Sequence, residues 1–190
     1  MYELIDIFIE LALLTLVVAA LIKENHSLRI TTVVILVFGL FLREFVITSS
    51  CRNLIGHSSL TGEMLDHYRD GISLVVKYTE VTSIYVIVAS VLLLVLSIGI
   101  PIFKKYLRLC ITTAIVLGIL LIIREISITV YTHTMLGQST LQGAMLDHYR
   151  DGALDMLASQ YDTNYYTIPA YIVLVLLSIK GLLHPKKLFK

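Results

Sequence analysis

The sequence predicts an all-α integral membrane protein with five transmembrane helices, in which spans 2–3 and spans 4–5 form a tandem parallel repeat. Three observations carry that reading. Hydrophobic residues make up 57% of the chain and charged residues only 15%, where an ordinary soluble domain carries about a quarter charged residues. Mean hydropathy is +0.84, and the apolar residues fall in long blocks. The octapeptide MLDHYRDG occurs twice without a change, at Met64–Gly71 and at Met145–Gly152.

The blocks are Leu11–Ile22, Ile30–Leu42, Ile84–Ile100, Ile111–Ile123 and Ile168–Ile179, each nearly free of charge. With flanking residues each reaches the roughly 20 residues that cross a bilayer as a helix. Helices are the reading to prefer, because in hydrocarbon the backbone must satisfy its own hydrogen bonds. Span 1 begins with the acidic residues Glu3, Asp6 and Glu10, whereas a signal peptide begins basic and ends at a small-residue cleavage site. It is expected to stay in the mature protein. Pro169 falls early in span 5, where a first-turn proline costs little, and Tyr161, Tyr165, Tyr166 and Tyr171 fit an outer interfacial belt.

Lys23 and Arg29 lie in the first connection, Lys104, Lys105 and Arg108 in the third, and Lys186, Lys187 and Lys190 in the tail. This bias of cations places those three segments in the cytoplasm. The expected location is the cell membrane, multi-pass, with the N-terminus and both long loops extracytoplasmic. Cys51 and Cys110 then lie near opposite faces, so no intrachain disulfide is expected.

A shift of 81 residues aligns Ile30–Gly71 with Ile111–Gly152 without a gap, and about half the positions are identical. ITT matches ITT, Arg43-Glu44 matches Arg124-Glu125, Gly56 and Gly62 match Gly137 and Gly143, Ser97-Ile98 matches Ser178-Ile179, and Lys23 matches Lys104. The chain therefore divides into residues 1–29 (span 1 and its inner loop), a first repeat unit at 30–110 and a second at 111–190, all in a single membrane domain. Span 1 resembles a further copy of the odd-numbered helix. Two crossings per unit leave both copies pointing the same way, related by a pseudo-two-fold along the membrane normal.

Each octapeptide is expected in an amphipathic outer helix, capped by Ser58, Ser59 or Thr61 in the first loop and by Ser139 or Thr140 in the second. Leu60, Met64, Leu65, Tyr68, Ile72 and Val75 share one face of such a helix, with Glu63, Asp66, Asp70 and Lys77 opposite. His67 stands one turn from Glu63 and Asp70. His148 stands one turn from Asp151, with Asp155 a turn further, because Ala144 replaces Glu63 while Asp155 replaces Leu74. Such a set, His67, Asp70, Glu63, His148, Asp151 and Asp155, suits a divalent metal or a pH-sensing histidine. The plainer reading is a solvated acidic face in which Arg69 and Arg150 make helix salt bridges.

Arg43-Glu44 and Arg124-Glu125 sit about two-thirds of the way through the even-numbered spans. Charges at that depth are expensive and turn toward the bundle interior or water. Glu10 lies about 9 Å below the outer end of span 1 at 1.5 Å per residue, close to the level of Arg43. Ion pairs joining Glu10, Arg43, Glu44, Arg124 and Glu125 are therefore expected. They serve as helix-packing locks, as a polar pathway for protons or ions, or as groups snorkelling to the interface.

No phosphate loop, nucleophile elbow, CxxC or HExxH occurs, and no sizeable soluble domain offers a substrate pocket, so nothing argues for an enzyme. With no histidine at mid-membrane depth, a bis-histidine haem is not expected. Net charge is +1, without a basic, aromatic-laced surface, and no nucleic acid is expected as a partner. The helix TTAIVLGILLIIREISI and its counterpart LRITTVVILVFGLFLREFVI resemble the signature helix of the phosphate-starvation-inducible PsiE family of small four-span membrane proteins. The resemblance covers one helix per repeat and rests on the Arg-Glu step. It implies a fold and no mechanism, and the duplication and the DHYRDG loops lie outside it.

Together these features predict a non-catalytic membrane subunit or scaffold without a cofactor, whose partners are the bilayer and other membrane proteins or copies of itself. The alternatives are a small channel or transporter for protons or cations, and an extracytoplasmic metal or pH sensor built on the two histidines.

Overall fold

Lipid-facing backbone must pair within its own segment, and long runs of Leu, Ile and Val with few glycines do so as helix. A computed structural model of the protein describes residues 14–184, and no strand occurs among them. Helix α1 covers 14–22. It is followed by α2 (His26–His57), α3 (Glu63–Ile98), a 3-10 turn at Pro101–Tyr106, α4 (Leu107–Gly137) and α5 (Ala144–Leu183). Among the described residues, four segments are long and apolar enough to cross a membrane: His26–Gly56, Glu63–Ile98, Leu107–Gly137 and Asn164–Leu183. The block expected as span 1 lies partly outside the described residues, and α1 is its described remainder.

The two long loops are largely helix. Only 58–62 and 138–143 separate α2 from α3 and α4 from α5. Each octapeptide opens a helix that continues into a span, in place of a separate surface helix. No proline interrupts the chain between Met64 and Ile98, so nothing stops the helix once it has begun. Tyr68, Ile72 and Val75 of the predicted apolar face are indeed buried, but against other helices, while Glu63, Asp66, Asp70 and Lys77 are exposed.

The start signals also differ from expectation. Ser58 and Ser139 fold the loop, their Oγ atoms accepting from the N–H groups of Leu60 (3.2 Å) and Leu141 (3.3 Å). The helices begin at Gly62 and Gly143, whose φ values of 61° and 60° favour glycine. Their carbonyls accept the first helical bonds, from Asp66 and Asp147.

The described chain forms two compact units: 14–39 with 88–119 and 169–184, and 40–87 with 120–168. In the first, Val17, Ala20, Val33, Leu36, Leu93, Leu174 and Leu177 are buried, and so is Tyr171, which belongs to this core and not to the interfacial belt expected for it. Ser178 Oγ donates to the carbonyls of Leu93 (2.8 Å) and Leu174 (2.7 Å). Lys180 Nζ donates to the carbonyls of Ala20, Leu21 and Lys23 at 2.6–2.9 Å, which satisfies the acceptors left open at the end of α1. Pro169 lies well inside α5, not in a first turn. Lacking an N–H, it leaves the Tyr165 carbonyl without its helical donor, a loss that neighbouring groups make tolerable in membrane helices.

The second unit has a core of Ile47, Ile72, Val75, Ile128, Ala153, Met156 and Leu157 around Tyr68. Here α3 and α5 touch backbone to backbone. A Cβ on Gly71 would collide with the Tyr149 carbonyl, and one on Gly152 with the Tyr68 carbonyl. Only a hydrogen at both positions allows this approach, as in small-residue helix crossings. Gly71→Ala or Gly152→Ala is expected to force the helices apart and lower stability by about 1–3 kcal/mol. Gly39→Ala, with nothing within 4 Å, is expected to be neutral or to stabilise by up to about 1 kcal/mol. Thermal unfolding in detergent compares the three.

Candidate functional site

An arginine followed directly by a glutamate on a helix projects its two charges about 100° apart. Two such steps, on α2 and α4, close a ring in the second unit. Arg43 grips Glu125 bidentately, Nη1 to Oε1 at 3.0 Å and Nη2 to Oε2 at 2.9 Å. Arg124 grips Glu44 in the same way, Nη2 to Oε2 at 2.8 Å and Nη1 to Oε1 at 3.2 Å. Each Nη1 also donates to the carboxylate next to it in sequence, Arg43 to Glu44 at 2.9 Å and Arg124 to Glu125 at 2.7 Å. All four side chains are at most 9% exposed. The ring is neutral, and each carboxylate sits between two guanidinium groups, the fork-to-carboxylate geometry that makes buried pairs tolerable. Glu10, the fifth expected member, lies outside the described residues.

Neutral polar side chains complete the ring. Arg124 Nε donates to Thr82 Oγ1 at 3.1 Å and Nη2 to the Thr79 carbonyl at 3.3 Å, while Arg43 Nη2 donates to Asn164 Oδ1. Gln160 Nε2 donates to Thr79 Oγ1 at 2.7 Å. Thus α3 and α5 are tied to the charges on α2 and α4. Sequence reasoning had no reason to single out these four residues, although Thr79 and Gln160 do coincide under the 81-residue shift.

The octapeptides supply a second polar region in the same unit. The predicted ligand set does not assemble: among the described residues no three His, Cys, Asp or Glu side chains gather as a metal group. Asp155, expected beside His148 as a ligand, accepts from Tyr68 Oη at 2.8 Å. Asp70 lies exposed near Tyr149, whose phenol is held above its usual range by burial and then by that carboxylate. Arg69 pairs with Asp66 at 3.5 Å on the exposed face. His148, Asp151 and Asp155 border a cavity of about 670 Å³ with Tyr68, Ser58 and Ser59. A smaller cavity of about 340 Å³ brings His67 and His148 together, with Glu63, Met64 and Met145. Met64, expected on the apolar face, lines this cavity, and so does Met145. Their placement three residues before each histidine was the signal available.

Single removal of a quartet member leaves a buried charge uncompensated, so Arg43→Gln or Glu125→Gln is expected to cost about 3–5 kcal/mol. The double variant is expected to cost clearly less than the sum, and a double-mutant cycle by thermal unfolding reads the coupling. Additive losses would mean that the four charges do not act as a unit. Comparison of the chain with protein-family models, curated proteins and solved structures finds no match.

Proposed function

We propose that this chain is a non-catalytic integral membrane subunit that packs in a larger membrane assembly or with copies of itself. The observation that carries the reading is the quartet: the buried charges are spent on one another and on helix contacts. Outward, α2 and α4 offer apolar stripes in matching register, Val34, Phe38, Leu42 and Phe45 on one and Ile115, Ile119, Ile123 and Ile126 on the other. The reading includes a fifth span at the N-terminus, two parallel repeats, and the octapeptide ends outside the cell. The matched roles of Gly62 with Gly143 and of Gly71 with Gly152 support the repeat, and the Lys and Arg bias supports the orientation.

Purification of the full chain in mild detergent is expected to yield a stoichiometric partner or a defined homo-oligomer, and a monodisperse monomer without companions overturns the reading. Thiol labelling of single cysteines introduced at Arg69 and Arg150, in intact cells on a background without Cys51 and Cys110, is expected to modify both. Labelling of one alone excludes the parallel arrangement.

Two alternatives have specific support. The buried carboxylates of Glu44 and Glu125, flanked by Thr79, Gln160 and Asn164, favour a proton or cation conduit. Flux in liposomes, abolished by Arg43→Gln with Arg124→Gln, would establish it. The shared cavity of His67 and His148 favours an extracytoplasmic metal sensor. Imidazoles beside the Met64 and Met145 thioethers suit a soft ion such as Cu(I) better than a hard divalent cation. Stoichiometric Cu(I) binding, lost on His67→Ala with His148→Ala, is the measurement that decides.

A further inference from the structure

The first turn of α2 holds a buried guanidinium with two unpaired nitrogens. Arg29 is 4% exposed, yet among the described residues its Nε and Nη2 have no hydrogen-bond partner. A guanidinium stays ionised in proteins and carries five donors, and a buried charge without an acceptor is among the least favourable states a fold adopts. The side chain lines a cavity of about 690 Å³ together with Lys23, Glu24, His26, Lys180 and His184, five cationic or ionisable basic groups against one carboxylate. Three of the nearby polar groups are already committed. Asn25 Oδ1 accepts from the Leu28 N–H and caps α2, the His26 ring meets the Ile98 carbonyl at 3.1 Å, and Lys180 is held by three carbonyls at the end of α1. Glu24 is exposed, and no ion pair joins it to Arg29 among the described residues.

We propose that this cavity binds a phosphate oxyanion, presented by the head group of an acidic phospholipid or supplied as soluble phosphate. Arg29 provides the fork that phosphate geometry matches. The N-terminus of α2 adds its dipole, and Lys23 and His184 stand exposed at the rim. The site lies where α1 and α5 end and α2 begins. Spanning helices leave the hydrocarbon at such ends, and basic pockets there meet head-group phosphates.

The test uses the full chain in uncharged detergent, with thermal unfolding followed on adding phosphatidylglycerol, phosphatidylcholine or inorganic phosphate. Phosphatidylglycerol is expected to raise the melting temperature of the wild type. In Arg29→Met the apparent affinity is expected to weaken by about tenfold or more, while without any anion this variant is at least as stable as the wild type because an orphan charge is gone. A response to phosphatidylglycerol alone identifies the lipid as the source, and an equal response to inorganic phosphate identifies the free anion. Lys23→Gln, at the exposed rim, keeps the fold and is expected to weaken binding several-fold, so it decides the matter if Arg29→Met does not fold. No response in the wild type, or the same response in both variants, overturns the proposal.

Discussion

Four charges inside apolar helices set the terms for the second unit. Neither arginine nor glutamate is tolerable alone at such burial, and the bidentate pairing of Arg43 with Glu125 and of Arg124 with Glu44 is what makes both helices acceptable. The pairing fixes more than proximity. A fork meets a carboxylate in one plane and at one height, so α2 and α4 are held in rotation and in register together. Thr79, Thr82 and Asn164 extend the same constraint to α3 and α5.

The repeated octapeptide has a mechanical explanation at several of its positions. Gly71 and Gly152 are each approached by the backbone of the tyrosine three residues before the other, so tyrosine and glycine form a reciprocal contact in which neither helix can change alone. The remaining polar residues are the exposed acids and arginines and the histidines. The methionine and histidine of both copies converge on one cavity. Each octapeptide thus meets in the other the same tyrosine and glycine that it supplies itself.

Helical class and the four helices long and apolar enough to cross a membrane were legible from composition and block length, because long charge-free runs of Leu, Ile and Val leave the backbone few other ways to pair. The Arg-Glu steps were legible as partners, since charges at equal depth have few other options. Helix boundaries were not. Ser58 and Ser139 looked like caps, but a serine that folds a loop and one that starts a helix carry the same local chemistry, and the positive φ at Gly62 and Gly143 decides only in three dimensions. Tyr171 was misplaced for a related reason: an interfacial tyrosine and a buried one are the same residue beside the same apolar run. Asp155 was assigned to His148 by helical spacing, whereas its partner Tyr68 stands 87 residues away, beyond the reach of any periodicity.

The clasp of Lys180 on the final carbonyls of α1 orders events in time as well as in space. The ammonium that closes the end of α1 stands 160 residues after the Ala20 carbonyl it binds, so α1 is made long before it. The opening helix must therefore wait, with its last acceptors turned to water or head groups, until the closing helix comes to rest beside it. A chain cut before that lysine leaves the last carbonyls of α1 without this donor.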